Sequence, residues 1–280
     1  MHKLASYLWP LLEQKRPHAH VLIVHGLGEH AQRYAELATE LNAAGYSVSA
    51  YDQYGHGHSL GARGDLLEPT QLLDDLNLVV HETRTRLDRE FGPALGGEVP
   101  LVVLGHSLGG LLAASWASRQ GDANLVQGIV LSSPAIALRL RARDRVLLKI
   151  AGLLLQHVAV ANGLKPQLLS RSDAAVQRYL QDPLVHDRIS GMLGQFMATE
   201  GAQVLARAQQ WQLPCLLMWG GADGIVDPQG SAQLAATIPP AYLSAHEWSG
   251  YYHEIFHEAP QDRAPVIAML LQWLAQRFAV

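Results

Sequence analysis

Short apolar runs alternate with helical patterns along most of this 280-residue chain, and that rhythm restricts its fold more than any other feature. The runs fall at 21–25, 47–51, 101–105, 128–132, 215–219 and 242–248. Those at 21–25, 101–105, 128–132 and 215–219 are nearly continuous in apolar residues rather than alternating with polar ones, which is the pattern of strands buried on both faces. Between them Tyr34, Leu37, Ala38 and Leu41 recur at helical spacing and stop at Gly45. A longer helical face runs from Leu72 through Leu76, Val79, Val80 and Leu87 to Phe91, entered at Pro69. Residues 108–120 and 266–278 supply two more helices, and 92–100 reads as a surface loop. This alternation predicts an α/β fold: a mostly parallel central sheet with helices on both faces. The rhythm lapses between 134 and 207, where only helical and loop patterns occur. The chain is therefore expected to divide into a core of 1–133 and 208–280 and a helical cap or lid insertion of 134–207.

The strongest local motif is Gly105-His106-Ser107-Leu108-Gly109, with Gly110 next. It follows the run LVVLG directly and precedes the helical LLAASWASRQ. A G-x-S-x-G between a strand and a helix is a nucleophile elbow, a turn so tight that side chains two residues either side of the serine would collide with it. A serine hydroxyl needs a base, and the base needs an orienting carboxylate. In this topology the acid follows a later strand and the base follows the last one. Asp223 stands four residues past Trp219; Asp227 is its rival, but it precedes Pro228 as a helix N-cap would. His253, five residues after Trp248, is chosen as base by its place, since fourteen histidines make a lone one uninformative. Two backbone N–H groups should hold the oxyanion: Leu108, just past the nucleophile, and Leu27, in the Gly-flanked loop after the first run.

The segments HGLGEHAQRY (25–34), DQYGHGHSLGARG (52–64), GHSLGG (105–110), LSSPA (131–135), DPLV (182–185), GGADGIVDP (220–228) and YHE (252–254) span nearly the whole chain. Together they resemble the monoglyceride lipase and lysophospholipase branch of the α/β-hydrolase superfamily. The resemblance implies the same triad of Ser107, Asp223 and His253, and a serine hydrolase that cleaves carboxylic esters of acyl lipids. It also implies that Glu29 and Arg33 lie near an acyl-glycerol head group. Animal members carry a second histidine three residues after the catalytic one; here Phe256 occupies that place and His257 the next. Monoacylglycerols, lysophospholipids and short-chain esters all remain open as substrates, as do thioesters and amides.

Composition narrows the other classes. Lys and Arg number 21 against 25 Asp and Glu, giving a net charge of −4 and no basic excess for a nucleic-acid partner. The single cysteine, Cys215, excludes an internal disulfide and a cysteine zinc cluster, and it heads a buried run as a small core residue. No metal or organic cofactor is expected. His253 to His257 spells H-E-x-x-H, a zinc-peptidase motif, but it follows a strand and meets Pro260 too soon for a helix. His56 and His58 read as a polar loop rather than a metal pair, and Arg63-Gly64-Asp65 as a chance tripeptide. A non-catalytic scaffold is the alternative of a different class. The apolar stretch 146–160 is interrupted by Lys149, Gln156 and His157 and falls short of the ~20 residues of a bilayer span. It is expected to roof an acyl pocket, with transient membrane or micelle contact on its outer face left open. The apolar stretch near the N-terminus, broken by Pro10 and Glu13, is too short for a secretory signal, so the expected compartment is the cytoplasm.

Overall fold

The computed structural model describes residues 4–11, 15–92, 98–119, 122, 124–139 and 142–278. Nine strands occur among them: β1 (Ser6–Trp9), β2 (His20–Val24), β3 (Ser47–Tyr51), β4 (Leu101–His106), β5 (Gly128–Ser132), β6 (Ala159–Ala161), β7 (Arg188–Ser190), β8 (Cys215–Gly220) and β9 (Leu243–Trp248). Seven form one sheet in the order β1-β3-β2-β4-β5-β8-β9, in which every pair is parallel except β1 with β3. Four parallel crossovers carry one α-helix each back over the sheet, α1 (Ala35–Ala43), α2 (Gln71–Phe91), α3 (Leu108–Ser118) and α7 (Pro228–Thr237); the connection from β5 to β8 holds the stretch 134–207, and α8 (Pro260–Phe278) follows β9.

The strand residues divide between two cores by parity. Leu22, Val24, Val103, Ile129, Leu131 and Leu217 face α2 and α3. Val21, Ile23, Val102, Leu104, Val130 and Leu216 face α1 and α8. Both faces of β2, β4, β5 and β8 are fully buried, which is why their sequences read as unbroken apolar runs.

Two expectations need correction. The N-terminal segment holds an edge strand, β1, that the apolar runs did not reveal; half of its residues are exposed, and it pairs antiparallel with β3. The stretch 134–207 is not free of strands: β6 and β7 pair there as a small antiparallel ladder between α4 (Ala142–Leu154), α5 (Asp173–Gln181) and α6 (Gly191–Arg207). Three residues per strand are too few to show a period. Consequently the apolar stretch 146–160 is helical only to Leu154 and ends in β6. Gln120, residues 93–97 of the expected loop, and the side chains of Val146, Leu147 and Lys149 lie outside the described residues.

Candidate active site

The elbow is built by close backbone approach. Ser107, between β4 and α3, holds φ 53° and ψ −115°, a conformation that costs an L-residue about 1–3 kcal/mol. Its N–H donates to the Ser132 carbonyl at 3.0 Å, and its own carbonyl accepts from Leu111 and Ala135. A Cβ on Gly105 would meet the Gly109 carbonyl at 2.2 Å, and one on Gly109 would lie 2.0 Å from the carbonyl of Val24. Only glycine fits at either place, so the spacing in the sequence is a steric requirement. The loop after β2 also passes close: a Cβ on Gly26 would sit 3.1 Å from Cβ of Ser107. Leu108 opens α3, where helix geometry leaves its N–H without an intrahelical acceptor.

Asp223 follows β8, is 1% exposed, and accepts N–H bonds on Oδ1 from Ile225 at 2.8 Å and Val226 at 3.0 Å. Its Oδ2 lies 2.6 Å from Nδ1 of His253, whose side chain is also buried. Burial alone pushes the Asp223 carboxyl up, but the imidazole and the two amides outweigh it and hold it below the usual carboxylate range. Burial likewise pushes His253 down, yet Asp223 foremost and then Glu254 and Glu29 leave it above the usual histidine value. With the carboxylate ionised, Nδ1 carries the proton and donates it to Asp223, leaving Nε2 as the basic nitrogen. Asp227 instead caps α7, accepting from the Gln229 N–H at 3.1 Å.

Ser107 and His253 line one cavity of about 780 Å³, together with Leu27, Glu29, His106 and Glu254. The rest of its wall is largely apolar, including Leu138, Leu148, Val160, Leu164, Ile189 and Met197, with Arg139, Asn162 and Lys165 as polar members. That size and lining suit a small amphiphile.

Residues 15–260 match the family model described as Hydrolase_4, serine aminopeptidase S33. The chain belongs to this family. It is 30% identical to an uncharacterized abhydrolase domain-containing protein of Dictyostelium discoideum over 94% of its own length, but it spans only 27% of that protein. It is also 30% identical to a monoacylglycerol lipase of Mycolicibacterium smegmatis, covering 88% of this chain and 84% of the lipase. Among solved structures, Paleococcus ferrophilus monoacylglycerol lipase superposes with a TM-score of 0.84 at 34% identity, covering 98% of this chain and 99% of that one. The fold is that of the α/β-hydrolases, and the similarities place the chain in their monoglyceride lipase-like branch.

Other members of this hydrolase's cavity wall escaped the sequence reading. His106, the variable residue of the elbow motif, bonds Ser132 Oγ through Nδ1 at 3.1 Å and lies 4.8 Å, ring to ring, from His253. Burial and then the neighbouring His253 push its pKa down to about 4, so it stays neutral near pH 7. Arg139 donates to the backbone carbonyls of Asp223 at 2.7 Å and Val226 at 3.2 Å, bracing the acid loop. Glu29 reaches the cavity, whereas Arg33 is not among its lining residues and is held between Glu29 and Glu254. Phe256 is buried in the core against α8 and does not line the cavity.

The rival motifs take structural places. The H-E-x-x-H stretch contains a single 3-10 turn, Ile255–His257, so its two imidazoles share no helical face, and His257 Nε2 lies 3.1 Å from the Arg33 carbonyl. His56 Nδ1 bonds the Tyr54 carbonyl at 3.0 Å, while the His58 N–H donates to Asp52. Among the described residues no group of three or more metal-ligating side chains converges. Cys215 is fully buried, and burial pushes its thiol well up.

Proposed function

We propose that this hydrolase cleaves carboxylic esters of acyl lipids, monoacylglycerols first, through Ser107, His253 and Asp223. The observation that carries the reading is the buried 2.6 Å His253–Asp223 pair at the wall of a predominantly apolar cavity shared with a strained elbow serine. Ser107 Oγ attacks the ester carbon as its proton passes to His253 Nε2, and the N–H groups of Leu27 and Leu108 receive the oxyanion. The C–O bond to the alcohol then breaks, and the alcohol leaves with the proton from His253. Water repeats the sequence on the acyl-enzyme, releasing the acid and restoring Ser107. Asp223 orients the imidazole and balances its transient charge. No step calls for a metal or an organic cofactor.

Residues 134–207 act as a cap over the core of 1–133 and 208–280, and they supply much of the apolar wall that would shelter an acyl chain. A lysophospholipid is the second reading, favoured by Arg139 and the exposed Lys165 in the cavity wall, which could face an anionic head group. A panel of monoacylglycerol, lysophospholipid, short p-nitrophenyl ester and aminoacyl arylamide at matched concentrations tests the assignment. The expected order puts monoacylglycerol first by kcat/KM. A preference for the arylamide would replace the lipase reading with peptidase chemistry.

A further inference from the structure

A buried ion cluster joins the two loops that carry the proposed oxyanion donor and the proposed base. Glu29 lies two residues past Leu27; its Oε1 accepts the Gly26 N–H at 2.5 Å and the Tyr34 hydroxyl at 2.8 Å. Glu254 directly follows His253, and its N–H donates to the Leu169 carbonyl at 2.7 Å. Arg33 stands between them, donating from Nη1 and Nη2 to both oxygens of Glu254 at 2.7 Å, and from Nη1 to Glu29 as well. Its guanidinium also stacks 4.9 Å from the Tyr179 ring, on α5. The three charged side chains are at least nine-tenths buried, with exposures of 9% for Arg33, 3% for Glu29 and 4% for Glu254.

Two carboxylates against one guanidinium leave one negative charge in excess beside the imidazole. Burying ions in this way gains little over apolar packing of the same volume, so stability alone is a weak reason for the cluster. The guanidinium is engaged on both sides by carboxylates and is absent from the cavity wall, which removes it as a contact for the head group.

The geometry points to a positioning clamp: Arg33, gripping Glu29 and Glu254, fixes the Leu27 loop against the His253 loop and sets an excess negative charge behind the imidazole that turns cationic during turnover. Glu29, Arg33 and Glu254 are thus positioning residues, acting through Gly26, Leu27 and His253. The clamp rests on His253 being the general base proposed above. Holding the oxyanion donors and the base at fixed separation is worth large rate factors, since a displacement of about 1 Å can cost ~100-fold.

Glu254→Gln keeps the shape of the side chain and removes its charge. The groups facing His253 are Asp223, Glu254, Glu29 and His106, with Arg33 and His257 behind them. Loss of one anion from this set should move the acid limb of the kcat profile to lower pH. It should also lower the pH-independent kcat for a soluble p-nitrophenyl ester by about 10-fold with KM nearly unchanged. Glu254→Asp, which keeps the charge, should hold the limb at its wild-type position. If Glu254→Gln does not fold by circular dichroism, Glu29→Gln makes the same measurement from the other loop. A folded variant with an unmoved limb and unchanged kcat overturns the clamp. Fluorophosphonate labelling of the wild type separates the two levels: a labelled Ser107 with an unmoved limb and unchanged kcat in the variant removes the clamp alone, whereas an unlabelled Ser107 removes the triad on which it rests.

Discussion

Asp223 and Asp227 stand four residues apart, yet their surroundings give them different partners. Asp223 is sealed from solvent and meets His253 and two backbone amides, while Asp227 sits at the start of α7 and accepts one N–H. Asp223→Asn should therefore lower kcat by about 10⁴-fold, because it favours the wrong imidazole tautomer while leaving the packing in place. Asp227→Ala should leave kcat unchanged and cost about 1 kcal/mol of stability as a lost cap. Matched kinetics and urea denaturation of the two variants check this; a large kcat loss in Asp227→Ala would exchange their roles. Strand order singled out His253, and with the N-cap signature of Asp227 before Pro228 it singled out Asp223, because the acid and the base of this topology follow particular strands. Glu254 was not legible in the same way. Its partner Arg33 lies 221 residues earlier, and nothing in either local sequence announces the pairing. Phe256 stands where animal relatives carry a second histidine, and the fold turns it into the core.

At the scale of elements, β2, β4, β5 and β8 were readable because both faces are buried, which erases alternation and leaves unbroken apolar runs. β1 was not, since half of its residues face solvent and only one neighbour pairs with it. β6 and β7 were not, since three residues cannot establish a period. The same region holds the two most exposed large apolar side chains of the described residues, Leu153 at 68% and Leu154 at 76%, with Leu155, Val158 and Val160 exposed beside them. Ala151 and Val160 also line the cavity, so this patch borders the proposed acyl site. A patch of this kind next to a lipid-sized cavity suits brief contact with a micelle or membrane surface. No helix among the described residues is long and apolar enough to cross a membrane. Replacing Leu153 and Leu154 together with Glu should lower hydrolysis of emulsified monoacylglycerol more than that of a soluble p-nitrophenyl ester. Equal loss on both substrates would assign the patch to packing instead.

Across the whole molecule, a low charged fraction of 16% and an apolar content of 49% find two uses. One is the pair of cores on either side of the parallel sheet, which any chain of this architecture must fill. The other is the stretch between β5 and β8, where apolar residues line the cavity on one side and meet solvent on the other. The ion cluster of Glu29, Arg33 and Glu254 and the His253–Asp223 pair are placed where the sheet delivers its loops: after β2, after β8 and after β9. The elbow serine stands among them at the end of β4, near the middle of the sheet order. This serine is the proposed nucleophile of the ester hydrolase. Incubating the protein with a fluorophosphonate probe and mapping the adduct by peptide mass spectrometry tests it most directly. One adduct is expected, on Ser107, with parallel loss of ester hydrolysis, and a folded Ser107→Ala variant should take no label. A folded wild-type protein left unlabelled, or full hydrolysis retained by Ser107→Ala, would contradict it.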